Sequence, residues 1–123
     1  MANEISYTLQ ANLSNSGLID NFSSGSLSAD QANARMIRNV QQIGTTAGGE
    51  ALQMGDVTGN GIAIFKNLDD TNFVEIGRSI SAAFEAFLRL LPGESALLRL
   101  STTAPYAKAD TSAVELDYRV YEE

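Results

Sequence analysis

The last segment of the chain, SAVELDYRVYEE, alternates without a break. Val114, Leu116, Tyr118 and Val120 take one parity; Glu115, Asp117, Arg119 and Tyr121 take the other. Every second side chain of a strand shares a face, whereas a helix returns to one face every three or four residues. The pattern therefore predicts a half-buried strand. The opening segment, EISYTLQANLS, repeats it, with Ile5, Tyr7, Leu9, Ala11 and Leu13 against Glu4, Ser6, Thr8, Gln10 and Asn12. Both ends of the chain read as strands of an antiparallel sheet with one wet side.

Turn signals punctuate what lies between. Asn60-Gly61 stands between EALQMGDV and the apolar GIAIF, and this dipeptide tolerates the positive φ that a tight hairpin requires. Pro92-Gly93 predicts a type II turn feeding a second hairpin, and Asp110, Thr111 and Ser112 precede the closing strand. NSGLIDNFSSGSLSADQ is polar and rich in glycine and serine, and reads as a loop or loosely held edge around Leu18, Ile19 and Phe22. Short strands parted by turns predict an all-β sandwich or barrel.

Two stretches also fit a helix. ISAAFEAFLRLL sets Ile80, Ala83, Phe84, Phe87, Leu88 and Leu91 at helical spacing. SADQANARMIRNVQQIG opens with Ser28 and Gln31 in capping-box spacing, followed by Met36, Ile37, Val40 and Ile43 on one helical face. Residues 29–43 and 79–91 are assigned to strands here, because a helix ending at Leu91 would leave ESALLRL without a partner. Room is left for one short helix in SADQANAR or SISAAFEA. With no repeat, low-complexity tract or boundary, residues 1–123 are expected to form a single antiparallel β-sandwich domain, with 1–26 as a contact arm or an edge strand plus loop.

Composition then narrows the chemistry. The 123 residues include neither cysteine nor histidine. Disulfides, iron–sulfur clusters and cysteine-ligated zinc are excluded, and so are Ser–His–Asp and Cys–His catalysis. Carboxylate, lysine or tyrosine chemistry is what remains. The net charge is −7, and the eight basic residues are scattered along the sequence with no two adjacent. Nucleic acids and anionic membranes call for a clustered cationic face, so neither is an expected partner. No apolar run approaches the roughly 20 residues of a membrane span, and MANEISYTLQ has neither the basic flank nor the apolar stretch of a secretory signal.

One polar stretch, NLDDTNFVEIG, could hold a cation, since Asn67, Asp69 and Thr71 alternate and Glu75 follows. Calcium loops want oxygen ligands at alternate positions and a glycine at the bend. Leu68 and Phe73 interrupt the span and no glycine sits at its middle, so the stretch reads as a turn between GIAIFKNL and FVEIG, built by Asp69-Asp70-Thr71-Asn72. Asp69, Asp70 and Glu75 remain the only metal candidates, and weak ones. Asp56, Thr58 and Asn60 alternate similarly in GDVTGNG, without a downstream glutamate at the needed spacing. No pair of carboxylates is singled out for glycosidase chemistry. Tyr118 is expected in the core and Tyr121 on the opposite face; Tyr106, Tyr118 and Tyr121 could otherwise serve a sugar or protein interface. No catalytic residue and no cofactor is assigned.

Three phrases in order, FKNLDDTNFVEIG, FLRLLPGESALLRL and YAKADTSAVELDYRVYEE, resemble small virion structural proteins of tailed bacteriophages. In that group a segment of the type N-L-D-x-T-N-[FY]-V-x-[IV]-G precedes a proline-glycine-glutamate turn, and a closing strand follows a phrase like Y-x-K-A-D-T. The likeness covers about residues 27–123 and is specific in the second half; the alanine-rich SISAAFEAF departs from it. The resemblance implies a jelly-roll-like β-sandwich without enzymatic activity. Its first implication is a capsid decoration (cement) protein that binds the major capsid protein on the shell exterior, made in the host cytoplasm and forming a homo-oligomer, with a trimer favoured. The alternative is a tail, baseplate or fibre-associated β-sandwich, including a host-glycan-binding module.

Overall fold

The computed structural model describes residues 3–59, 61–101 and 104–123, and every regular element among them is a strand. The helical spacing in 29–43 and 79–91 is overridden, and neither SADQANAR nor SISAAFEA forms a helix. The chain divides into two compact units, Met1–Asn33 with Glu123, and Ala34–Glu122.

In the first unit the opening alternation is not one strand but two. β1 (Ile5–Tyr7) and β2 (Gln10–Asn15) are parted at Thr8 and Leu9. The stretch expected to be a loop or a loosely held edge supplies their partners, β3 (Leu18–Ser23) and β4 (Leu27–Ala29). β2 pairs with β3 and β1 with β4, both antiparallel, while Leu9 and Ser24 link the two pairs through Ser24 N–H donating to the Leu9 carbonyl at 3.0 Å. Ser16 and Gly17 turn the ribbon at φ 46° and 90°. Positive φ at both central positions matches the twist of the flanking strands, and only glycine adopts it without strain. Asn3 fastens the open end: its N–H donates to Asp30 Oδ1 (2.7 Å) and its Oδ1 accepts from Ser28 Oγ (2.7 Å).

The second unit holds eight strands: β5 (Met36–Ile43), β6 (Glu50–Ala51), β7 (Gly61–Asn67), β8 (Val74–Ile80), β9 (Ala83–Leu90), β10 (Ser95–Arg99), β11 (Tyr106–Ala109) and β12 (Val114–Glu122). The first pairs with the last, the second with the seventh, the third with the sixth and the fourth with the fifth, all antiparallel. That is one long double ribbon. Wrapping it so that β7 meets β12 and β8 meets β11 gives two four-stranded sheets, β10-β7-β12-β5 and β6-β11-β8-β9. The result is a jelly-roll β-sandwich.

Between the sheets lie Ile43, Phe65, Val74, Ile76, Leu116 and Tyr118, each 0 % exposed, with Val120 and Ala107. Tyr118 sits directly across from Phe65, ring centroids 6.4 Å apart. Its hydroxyl donates to the Gln53 carbonyl (2.6 Å) and accepts from Asn39 Nδ2 (3.2 Å), so the one polar atom of this core ring is satisfied. Burial pushes its ionisation above the ordinary phenol range. The parity read from the sequence holds along β12, with Tyr121 on the opposite face from Tyr118.

Three turns depart from expectation. Gly93 adopts φ 79° and Glu94 N–H donates to the Leu91 carbonyl (3.0 Å), giving the expected type II turn. It does not close a hairpin, because β9 and β10 belong to different sheets. Asn60 lies outside the described residues. Gly61 is a strand residue opposite Glu122, where an added methyl would overlap the Tyr121 carbonyl oxygen, so this glycine serves close strand approach rather than a bend. A two-residue hairpin of this unit is Ser81-Ala82, at φ 50° and 63°, joining β8 to β9. Along that pair Ile76 faces Leu88 and Gly77 faces Ala86, leaving Phe87 as the extra residue of a β-bulge, 57 % exposed.

Candidate interaction surface

The acidic stretch 67–75 is a hydrogen-bonded knot. Asn67, 0 % exposed, donates from Nδ2 to the carbonyls of Asn72 (2.9 Å) and Leu90 (3.1 Å), and its Oδ1 accepts from Asp69 N–H (2.9 Å). Asp69 Oδ2 accepts from the N–H groups of Asn72 (2.6 Å) and Thr71 (3.0 Å) and from the Thr71 hydroxyl (3.1 Å). Those backbone donors hold the Asp69 carboxyl below its ordinary value. Asn72 Oδ1 accepts from Thr111 Oγ1 (2.9 Å), tying the turn to the loop before β12. The other candidates lie apart. Asp70 is exposed, and Glu75 faces Arg89 across β8 and β9 with Oε2 accepting from Nη2 (2.9 Å) and Nε (3.1 Å). Arg89 itself covers the Phe73 ring, 3.9 Å from its centroid. Among the described residues no three acidic side chains are grouped to hold a metal ion.

The second stretch weighed for calcium, GDVTGNG, presents donors instead of acceptors. Thr58 N–H, Thr58 Oγ1 (3.2 Å) and Gly59 N–H (2.8 Å) all donate to Glu122 Oε2, and Arg35 Nη1 lies 3.5 Å from Oε1. Glu122 is 1 % exposed, and the Thr58 and Gly59 N–H groups hold its carboxyl below the ordinary range. Successive backbone N–H groups of this kind form an anion cradle, which the chain fills with its own terminal strand. Neither pattern in the sequence signalled the pairing, since Thr58 and Glu122 are 64 positions apart.

Some of what remains uncovered is apolar. In the β2–β3 ribbon, Ala11 faces Phe22, Leu13 faces Asp20 and Asn15 faces Leu18, so these six share one side. Leu13 is 45 % exposed, Phe22 53 % and Leu18 62 %. The other side carries Gln10, Asn12, Ser14, Asn21 and Ser23, broken only by Ile19. From Ile5 to Ala29 the single charged residue is Asp20. Two-stranded ribbons are marginal in water without something to pack against, and this one is amphipathic. The alternation that predicted a half-buried strand is present, but both sides of the ribbon are exposed. No protein-family model, curated protein or solved structure matches the chain, so the likeness to phage virion proteins stands on its motifs alone.

Proposed function

We propose that this chain is a non-enzymatic structural subunit of a tailed-phage virion, a decoration protein that stabilises the head shell through protein–protein contacts and works as a homo-oligomer. The observation that carries this reading is the β2–β3 ribbon, with an apolar, nearly uncharged side that its own unit leaves exposed. Exposed apolar side chains grouped on one side, here Ala11, Leu13, Leu18 and Phe22 around Asp20 and Asn15, mark an interaction surface. The jelly roll supports the reading by analogy, since shell proteins use that fold, although a fold alone does not carry a function. Two of the acidic groups that sequence singled out add indirect support: Asp69 and Glu75 are engaged in holding turns and strands together.

Half-burying Leu13, Leu18 and Phe22 against a lattice yields about 1 kcal/mol each. That is modest for one copy and large for linked copies engaging repeated sites. The test is co-sedimentation of the purified protein with heads of the encoding phage that lack it, beside the variant Leu13→Ser/Phe22→Ser. Binding by the native chain and a loss of roughly 30-fold in the variant, at about 2 kcal/mol, are expected. Failure to bind heads, binding to tails instead, or undiminished binding by the variant would each overturn the proposal.

A further inference from the structure

Scattered in sequence, the basic residues converge in space. Along β12, Leu116, Tyr118 and Val120 point into the core, so Asp117 and Arg119 lie on the outer face of sheet β10-β7-β12-β5. Register then places Arg38 directly opposite Arg119, Lys66 directly opposite Asp117, and Arg99 on the same face two positions beyond Leu97, the partner of Ile64. Four of the chain's eight Lys and Arg residues thus occupy one face of one sheet. The acids on that face are Asp117 and Glu115. Asp117 lies beside Lys66, and among the described residues no carboxylate comes within 4 Å of Arg38 or Arg119. Like charges directly opposite on adjacent strands are unfavourable. Here the pair sits beside the open edge made by β5, with Met36 and Val40 flanking Arg38, each 50 % exposed.

One end of the same sandwich has the opposite character. The 67–73 turn, the 91–94 turn and the loop before β12 are joined there, with Gly93 N–H donating to the Asn67 carbonyl (3.1 Å), Asp110 N–H to the Phe73 carbonyl (3.1 Å) and Leu68 N–H to the Glu115 carbonyl (3.0 Å). Between them these segments carry Asp69, Asp70, Glu94 and Asp110, and no Lys or Arg. Asp70 and Asp110 are exposed.

We infer that the Arg38–Arg119 ridge docks the acidic loop end of a second copy of this chain. The complementarity is internal to the molecule: an arginine pair with no carboxylate within 4 Å, and loop segments that carry acids without a Lys or Arg of their own. Net charge opposes both a polyanion and a second copy, each copy carrying −7, so the occupant is assigned by the local match between ridge and loop end. The inference rests on the oligomeric half of the proposed function and not on attachment to a virion.

Sedimentation velocity at about 0.05 M and about 0.5 M salt tests it, since screening shortens the reach of exposed charges over that range. The native chain is expected to associate at low salt and to weaken roughly tenfold or more at high salt. Arg38→Glu/Arg119→Glu and Asp70→Lys/Asp110→Lys should each be monomeric while melting as the native protein does, and the quadruple variant, with both surfaces reversed, should associate again. A native chain that stays monomeric, double variants that associate normally, or a quadruple variant that stays apart would overturn the inference. So would a mobility shift of DNA that Arg38→Glu/Arg119→Glu abolishes. Head binding by a strictly monomeric chain would remove this contact and leave the proposed attachment standing.

Discussion

Asn67 offers the sharpest test of whether the acidic turn is architecture or a cation site. Its side chain is fully buried, gives two hydrogen bonds and accepts one. Truncation in Asn67→Ala removes all three at about 1 kcal/mol each, a loss of about 3 kcal/mol and a fall of about 10 °C in Tm for a domain of this size. Asn67→Asp is nearly isosteric yet costs more. The oxygen replacing Nδ2 confronts the carbonyls of Asn72 and Leu90, and a buried carboxylate against two acceptors forfeits roughly 3–5 kcal/mol. Such a carboxyl has a raised folded-state pKa. The folded variant therefore binds its proton more tightly than the unfolded chain, and its deficit relative to the native protein should shrink as pH falls from 7 towards 5. Urea melts at several pH values, with and without added calcium, measure both effects. A calcium loop gaining a carboxylate should be stabilised by the ion; here calcium should leave the deficit unchanged. An Asn67→Ala variant within about 1 kcal/mol of the native protein, or an Asn67→Asp variant restored by calcium, would refute the reasoning.

Three further outcomes follow from the fold. Asp69 and Glu122 both have depressed carboxyl pKa values, so their contribution is complete above the unfolded values of about 4 and is lost as pH falls through the folded ones; Tm should be level near neutrality and drop in acid, and Glu122→Gln should lower Tm at pH 7 while flattening that drop. Ser81→Asn/Ala82→Gly puts suited residues into the left-handed β8–β9 turn and should stabilise by about 1 kcal/mol after the extra freedom of glycine in the unfolded chain is deducted, raising Tm by about 3 °C; an unchanged or lower Tm would count against the turn geometry. Gly77→Ala would drive a methyl into the Glu85 carbonyl at the bulge, and a loss above about 3 kcal/mol is expected in a chemical melt.

How far the sequence could be read depended on what each pattern encodes. Along β12 parity reports the environment of both faces, so Tyr118 inside and Tyr121 outside could be assigned directly. In the β2–β3 ribbon the same parity identifies the apolar side but is silent on what covers it, and exposure of Leu13 and Phe22 was not legible. Turn chemistry misled where one residue type serves two purposes. Gly61 permits close strand approach where Asn-Gly suggested a bend, and Ser81-Ala82 bends without a residue that favours the conformation. The turn at 67–73 was foreseen from its Asp and Asn residues, whereas the Glu122 cradle and the meeting of Arg38 with Arg119 depend on strand register, which is set by the whole fold.

The inferred ridge-to-end contact joins two different surfaces, so it is heterologous and must either close into a ring or propagate as a filament. Ring size can be read from the two charge-reversed double variants mixed in equal amounts. Arg38→Glu/Arg119→Glu presents an acidic ridge beside its acidic end, and Asp70→Lys/Asp110→Lys presents two basic surfaces. Neither kind docks with itself, and each docks with the other in both directions. Neighbours in the mixture must therefore alternate. A ring of even number closes under that rule, but a three-membered ring cannot, because its last contact would join two copies of the same kind. If the native oligomer is a trimer, the mixture should yield pairs and open chains rather than a sharp trimer boundary in sedimentation velocity. A discrete trimer from the mixture would mean that the contact is not the one between the arginine ridge and the acidic loops.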